Sequence, residues 1–102
     1  MSDGRVPLNY YRYKILCAPF VTNERIAVFY QVNSKYAGNM KKIVSRFAFE
    51  QYGWDFTTHK IPTEFFSERF SLDRSYYKEL AIELGEMDNN GNPLMEVEYD
   101  FE

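Results

Sequence analysis

Tyr77-Lys78-Glu79-Leu80-Ala81-Ile82-Glu83-Leu84 is the stretch on which the fold turns. Tyr77, Leu80, Ala81 and Leu84 share one side of a helix. Leu80, Ile82 and Leu84 alternating with Glu79, Ala81 and Glu83 equally satisfy a strand. The residues downstream favour the strand. Asp88-Asn89-Asn90-Gly91-Asn92-Pro93 collects the residues that close turns by local hydrogen bonding or tolerate positive φ. Beyond it, Met95, Val97, Tyr99 and Phe101 alternate without error with Glu96, Glu98, Asp100 and Glu102. An alternating strand after a glycine-containing turn takes the preceding segment as its partner. The sequence therefore predicts an acidic β-hairpin over 80–102.

Upstream, 9–17 is rich in strand formers, with Tyr11, Tyr13, Ile15 and Cys17 on one face and Arg12 and Lys14 on the other. A second run, 26–32, is apolar almost throughout and reads as a central strand paired with the first. Thr22-Asn23-Glu24 between them reads as a turn. Met40, Ile43, Val44, Phe47, Ala48 and Tyr52 form the i, i+3, i+4, i+7 stripe of an amphipathic helix. Asn33 or Ser34 can cap it and Gly53 can stop it, although Gly38 weakens its first turn. Segment 54–61 alternates again, Pro62 ends it, and 63–70 suits a short helical piece. The expected architecture is α+β: an antiparallel sheet of about five strands in ββαβ-ββ order, with the helix packed on one face. All 102 residues fit one domain, with 1–8 a loose N-terminal segment.

Net charge is −3, but it is unevenly spread. Residues 1–60 hold nine Lys/Arg against four acids, +5. Residues 61–102 hold three Lys/Arg against eleven acids, −8. From Glu79 onward there are eight acids and no Lys or Arg. A split of this kind points to an interaction surface.

Several chemistries are poorly served. Cys17 and His59 are the only Cys and His, too few for structural zinc, and Cys17 on an apolar strand face reads as inert core. The 86–97 stretch mimics a calcium loop until its twelfth position, which is Val97 where a bidentate Glu is required. The five glycines form no phosphate-binding loop. No cofactor and no enzymatic activity are expected. One cysteine excludes an internal disulfide, and there is neither a signal-peptide pattern nor an apolar run of membrane-spanning length. The expected location is cytoplasmic.

Two surfaces remain. In the hairpin reading, Glu79, Glu83, Glu96, Glu98, Asp100 and Glu102 share its outer face. Like charges across a strand pair repel, so a basic partner would offset the cost. This predicts a protein-binding inhibitor or modulator that presents a nucleic-acid-like acidic face to a basic surface, such as that of a nucleic-acid-binding enzyme. Short length, heavy Tyr and Phe content and an acidic end resemble small phage-encoded proteins that disable host enzymes; no motif carries the resemblance. The alternative is a single-strand nucleic-acid binder using Tyr11, Arg12, Tyr13 and Lys14 with Lys41, Lys42 and Arg46. The basic and acidic halves, with an edge strand over 94–101, also allow a homo-oligomer.

Overall fold

Segment 77–84 is helical, not extended. A computed structural model describes residues 6–55 and 60–99. Among them lie five helices: α1 (Leu8–Cys17), α2 (Asn23–Tyr30), α3 (Ser34–Tyr52), α4 (Thr63–Phe70) and α5 (Arg74–Glu83). A two-residue ribbon, β1 (Phe20–Val21) against β2 (Ile61–Pro62), is antiparallel, with Phe20 opposite Pro62 and Val21 opposite Ile61. The expected five-strand sheet is thus overturned, and with it the ββαβ-ββ order.

The strands expected over 9–17 and 26–32 are α1 and α2. Residues four apart lie together on a helix and also on one face of a strand, so Tyr11 and Ile15 fit both readings. What separates them is burial. Tyr11 and Ile15 are fully covered, whereas Tyr13 is half-buried and Cys17 exposed. The turn read at 22–24 is a helix start: the Thr22 hydroxyl accepts from the Arg25 backbone N–H, as an N-cap does. Segment 26–32 is apolar but for Gln31, and such a run carries no periodicity to distinguish strand from helix.

Helix α3 follows the apolar stripe. It is capped by Asn33, whose side chain accepts from Tyr36 N–H at 2.8 Å, and it ends at Gly53 with φ 72°. Of the strand expected over 54–61, Trp54 and Asp55 are irregular, 56–59 lie outside the described residues, and only Ile61 joins the ribbon. Helix α4 occupies 63–70. The loose segment expected over 1–8 is tied down at its end: Pro7 is buried and Leu8 opens α1, while 1–5 lie outside the described residues.

The hairpin over 80–102 does not form. Helix α5 starts at Asp73, which accepts from Ser75 N–H, and ends where Glu86 N–H reaches back to Ala81 O at 2.8 Å. A single antiparallel pair, Met87 with Pro93, closes the 88–92 loop, and 94–99 continues as irregular chain. No strand lies at that edge among the described residues, so the edge-pairing route to a homo-oligomer is lost; 100–102 lie outside them.

Two clusters form the core. The larger joins Ile15, Val21, Ile26, Phe29, Val44 and Phe66, with further residues from all helices but α5, which adds Tyr77 at the margin. The smaller joins Tyr10, Tyr11, Ala81 and Met87, with Ile82 and Val97 packed on it. Phe29 sits among Tyr30, Phe66 and Tyr77 with centroids 4.9, 5.4 and 5.5 Å away, the last two edge-on as aromatic quadrupoles prefer. Arg12 binds three helices: its Nε donates to Phe29 O at 2.9 Å and its guanidinium lies over the Phe29 and Tyr77 rings.

Candidate functional site

The corner between the end of α3 and the start of α4 gathers aromatic and acidic side chains. Gly53 reaches the left-handed conformation without a Cβ penalty and turns the chain sharply. Gly53 N–H and Trp54 N–H then bond back to Phe49 O and Ala48 O, at 2.9 and 3.3 Å. This turn holds Tyr52 and Trp54 close to α4. On α4, Glu64 and Glu68 are one turn apart and flank Phe65, which is buried.

The Phe65 ring lies 5.3 Å from Tyr52 and 6.0 Å from Trp54, tilted by 44° and 55°. The Tyr52 hydroxyl donates to the Glu68 carboxylate, 2.7 Å from Oε1 and 2.8 Å from Oε2. That bond, ahead of any desolvation, raises the Tyr52 pKa above 10.0. The five residues line an open surface hollow of about 270 Å³. Two carboxylates and no basic group line the space among the described residues.

The carboxylates of the expected hairpin face are distributed differently. Glu79 and Glu83 stand one turn apart on α5, both exposed. Glu96 and Glu98 are exposed on either side of Val97, which packs on the same small cluster as Ile82 of α5. Glu98 N–H donates to the Tyr11 hydroxyl at 3.0 Å, and Tyr99 meets the Tyr11 ring edge-on at 5.1 Å, which seats this segment. Asp100 and Glu102 lie outside the described residues.

The basic and aromatic residues of the alternative surface do not converge. Tyr11 has no exposed area, and Arg12 is engaged inside the fold. Tyr13 and Lys14 are half-buried on α1, and Lys78 rests over the Tyr13 ring at 6.0 Å. Lys42 and Arg46, one turn apart on α3, do meet Arg69 of α4, along a groove of about 480 Å³ that also touches Phe47 and Glu50. Lys41 is half-buried and does not line it.

Cys17, expected in the core, is exposed at the end of α1, and His59 lies outside the described residues. Among the described residues no group of three or more His, Cys, Asp or Glu is placed to hold a metal ion. Asp88 turns its carboxylate onto its own loop: Oδ1 accepts from Asn90 and Asn92 N–H at 2.8 and 2.9 Å. These bonds, that from Asn92 first, lower its pKa below 3.8. No described helix is long and apolar enough to cross a membrane.

Sequence reasoning missed the α3–α4 corner because it assigned Tyr52 to the buried stripe and Trp54 to a strand. The signals present were Glu64 and Glu68 four apart around Phe65, and two large aromatics on either side of a helix-ending glycine. Compared with known proteins, the chain matches no family description, and neither a curated protein nor a solved structure resembles it beyond chance.

Proposed function

We propose that this chain is a non-enzymatic protein-binding module, an inhibitor or modulator, that presents exposed carboxylates to a basic partner surface. The observation behind this reading is the placement of Glu79 and Glu83 on α5 and of Glu96 and Glu98 beside Val97. Both pairs are exposed and both border one small cluster. The absence of Lys and Arg after residue 78 favours a negative field on this side, of the kind that steers basic surfaces toward it.

The test is capture of partners from a bacterial lysate as salt is raised, with the Glu79→Lys, Glu83→Lys, Glu96→Lys, Glu98→Lys variant alongside. The expected result is capture at low salt that fades with added salt and is lost in the variant. Undiminished capture by the variant refutes the reading.

A second reading rests on Lys42, Arg46 and Arg69, which line one groove and together suit the phosphates of a single-stranded nucleic acid. Titration with labelled oligonucleotides decides it. Salt-sensitive binding that is lost in Lys42→Glu, Arg46→Glu supports the reading, and no binding at micromolar protein ends it.

A further inference from the structure

We infer that the groove between α3 and α4 is a site for a terminal phosphate, the dianion of an organic phosphomonoester such as a nucleotide. This rests on the nucleic-acid reading of the same groove and narrows it from internal diesters to a phosphorylated end.

Three cations reach one hollow of about 480 Å³ from two helices. Lys42 and Arg46 stand one turn apart on α3, and Arg69 comes from the last turn of α4. Glu50 is the one carboxylate among the six lining residues, which leaves two positive charges in excess. Like charges one turn apart on a helix repel. No hydrogen bond or ion pair among the described residues holds Lys42 or Arg46, and Arg69 lies over the Phe70 ring, 5.4 Å from its centroid. All three are exposed, so a ligand can reach them, and an anion in the hollow offsets their repulsion.

The amount of charge separates the two kinds of phosphate. An internal diester carries one negative charge on two unesterified oxygens. A terminal phosphate has a third such oxygen and a charge of about −1.5 to −2 at neutral pH. Arg46 and Arg69 each offer a planar fork that matches two phosphate oxygens, and Lys42 adds a point charge. Three cations on one hollow match the dianion, whereas a strand of diesters asks for cations repeated along its path. The other lysines of α3, Lys35 and Lys41, do not line the groove. The organic group has a place as well: Ile43, 42% exposed, and half-buried Phe47 form an apolar wall beside the cations.

The experiment titrates the full chain calorimetrically with uridine 5′-monophosphate, at low salt and above the second phosphate pKa of about 6. Uridine 3′,5′-cyclic phosphate serves as a singly charged diester of the same nucleoside, and inorganic phosphate as the dianion without an organic group. The expected result is saturable binding in which the monophosphate exceeds both by about three- to tenfold. Affinity should fall about tenfold in Lys42→Gln, Arg46→Gln, and also in Arg69→Gln on the facing helix. These positions are exposed, and an unchanged far-ultraviolet dichroism spectrum verifies each variant's fold. No saturable binding at millimolar monophosphate, equal binding of the cyclic diester or of inorganic phosphate, or unchanged affinity in both variants overturns the proposal. Oligonucleotides bearing a 5′-phosphate or a 5′-hydroxyl then identify the source. A phosphorylated strand tighter than the mononucleotide assigns a strand end, and the reverse assigns a free nucleotide; either ranking retains the site. Equal binding of the two strands overturns the terminal-phosphate site and leaves the nucleic-acid reading standing. Binding of the mononucleotide but of neither strand does the opposite.

Discussion

Glu86 is the residue on which the N-terminal helix depends. It is 4% exposed, and its carboxylate sits at the start of α1, 77 positions away in sequence. Asn9 and Tyr10 backbone N–H donate to Oε1 at 2.8 and 3.0 Å, and Asn9 Nδ2 donates to Oε2 at 3.2 Å. The first N–H groups of a helix have no partner within it, and Pro7 offers no side-chain cap, so a remote carboxylate supplies one. Its charge also faces the positive end of the helix dipole. Removing it leaves buried donors unpaired. Glu86→Ala should cost about 3 kcal/mol, read as a lower urea midpoint with an unchanged slope. Glu86→Gln, which keeps one acceptor oxygen, should cost less. This cap was not legible in the sequence: Glu86 was one acid among eight, and nothing local marks a residue whose partners are 76 and 77 positions away.

At the scale of elements, length decided what could be read. Helix α3 spans 19 residues, so its stripe repeats over five turns and no strand pattern competes. Helices α1 and α5 have ten residues each and α2 eight, too short for the two periods to separate. In α5 the strand reading placed Ala81 outward with Glu79 and Glu83. In the helix Ala81 is fully buried against α1 while Leu84 is 47% exposed. The close approach of α1 selects a small residue there, and only tertiary packing expresses that preference. Gly38 gives a test on the element that was read correctly. A Cβ at this position would meet only Asn23 Nδ2, at 3.6 Å, an ordinary van der Waals distance. Gly38→Ala should therefore gain about 0.5–1 kcal/mol from helix propensity alone, seen as a higher melting temperature with no change in dichroism at room temperature.

Over the whole molecule, the aromatic content shapes the response to pH. Three tyrosines hold their protons more tightly than the ordinary 10.0: Tyr13 through its hydrogen bond with Cys17, Tyr30 through burial, and Tyr52 through Glu68. A raised folded-state pKa means that the stabilising contribution is complete below the unfolded value. It is lost as pH rises through the folded one. Stability to urea should fall progressively above pH 10, alongside the rise of tyrosinate absorbance, and Tyr52→Phe should remove part of that dependence. A fall that begins at neutral pH would contradict this linkage.

The molecule extends 46 × 25 × 20 Å, with a radius of gyration of 14.3 Å, slightly above the roughly 13 Å usual for this length. Its two core clusters meet at Val28 of α2, which packs against both, while Arg12 of α1 reaches Phe29 and Tyr77 of the larger one. By itself the sequence determined the long helix with Gly53 at its end and Asn33 or Ser34 as its start, the short helix at 63–70 and a turn over 88–93. It also determined the polarity of charge along the chain. All of these arise from interactions among residues a few positions apart, or from composition. The state of 9–17, 26–32 and 77–84, the cap at Glu86 and the corner of Tyr52, Trp54 and Phe65 were decided only by the tertiary structure. In each, residues distant in sequence supply the burial or the hydrogen bond that breaks a local tie. A short amphipathic segment takes whichever period its neighbours can cover.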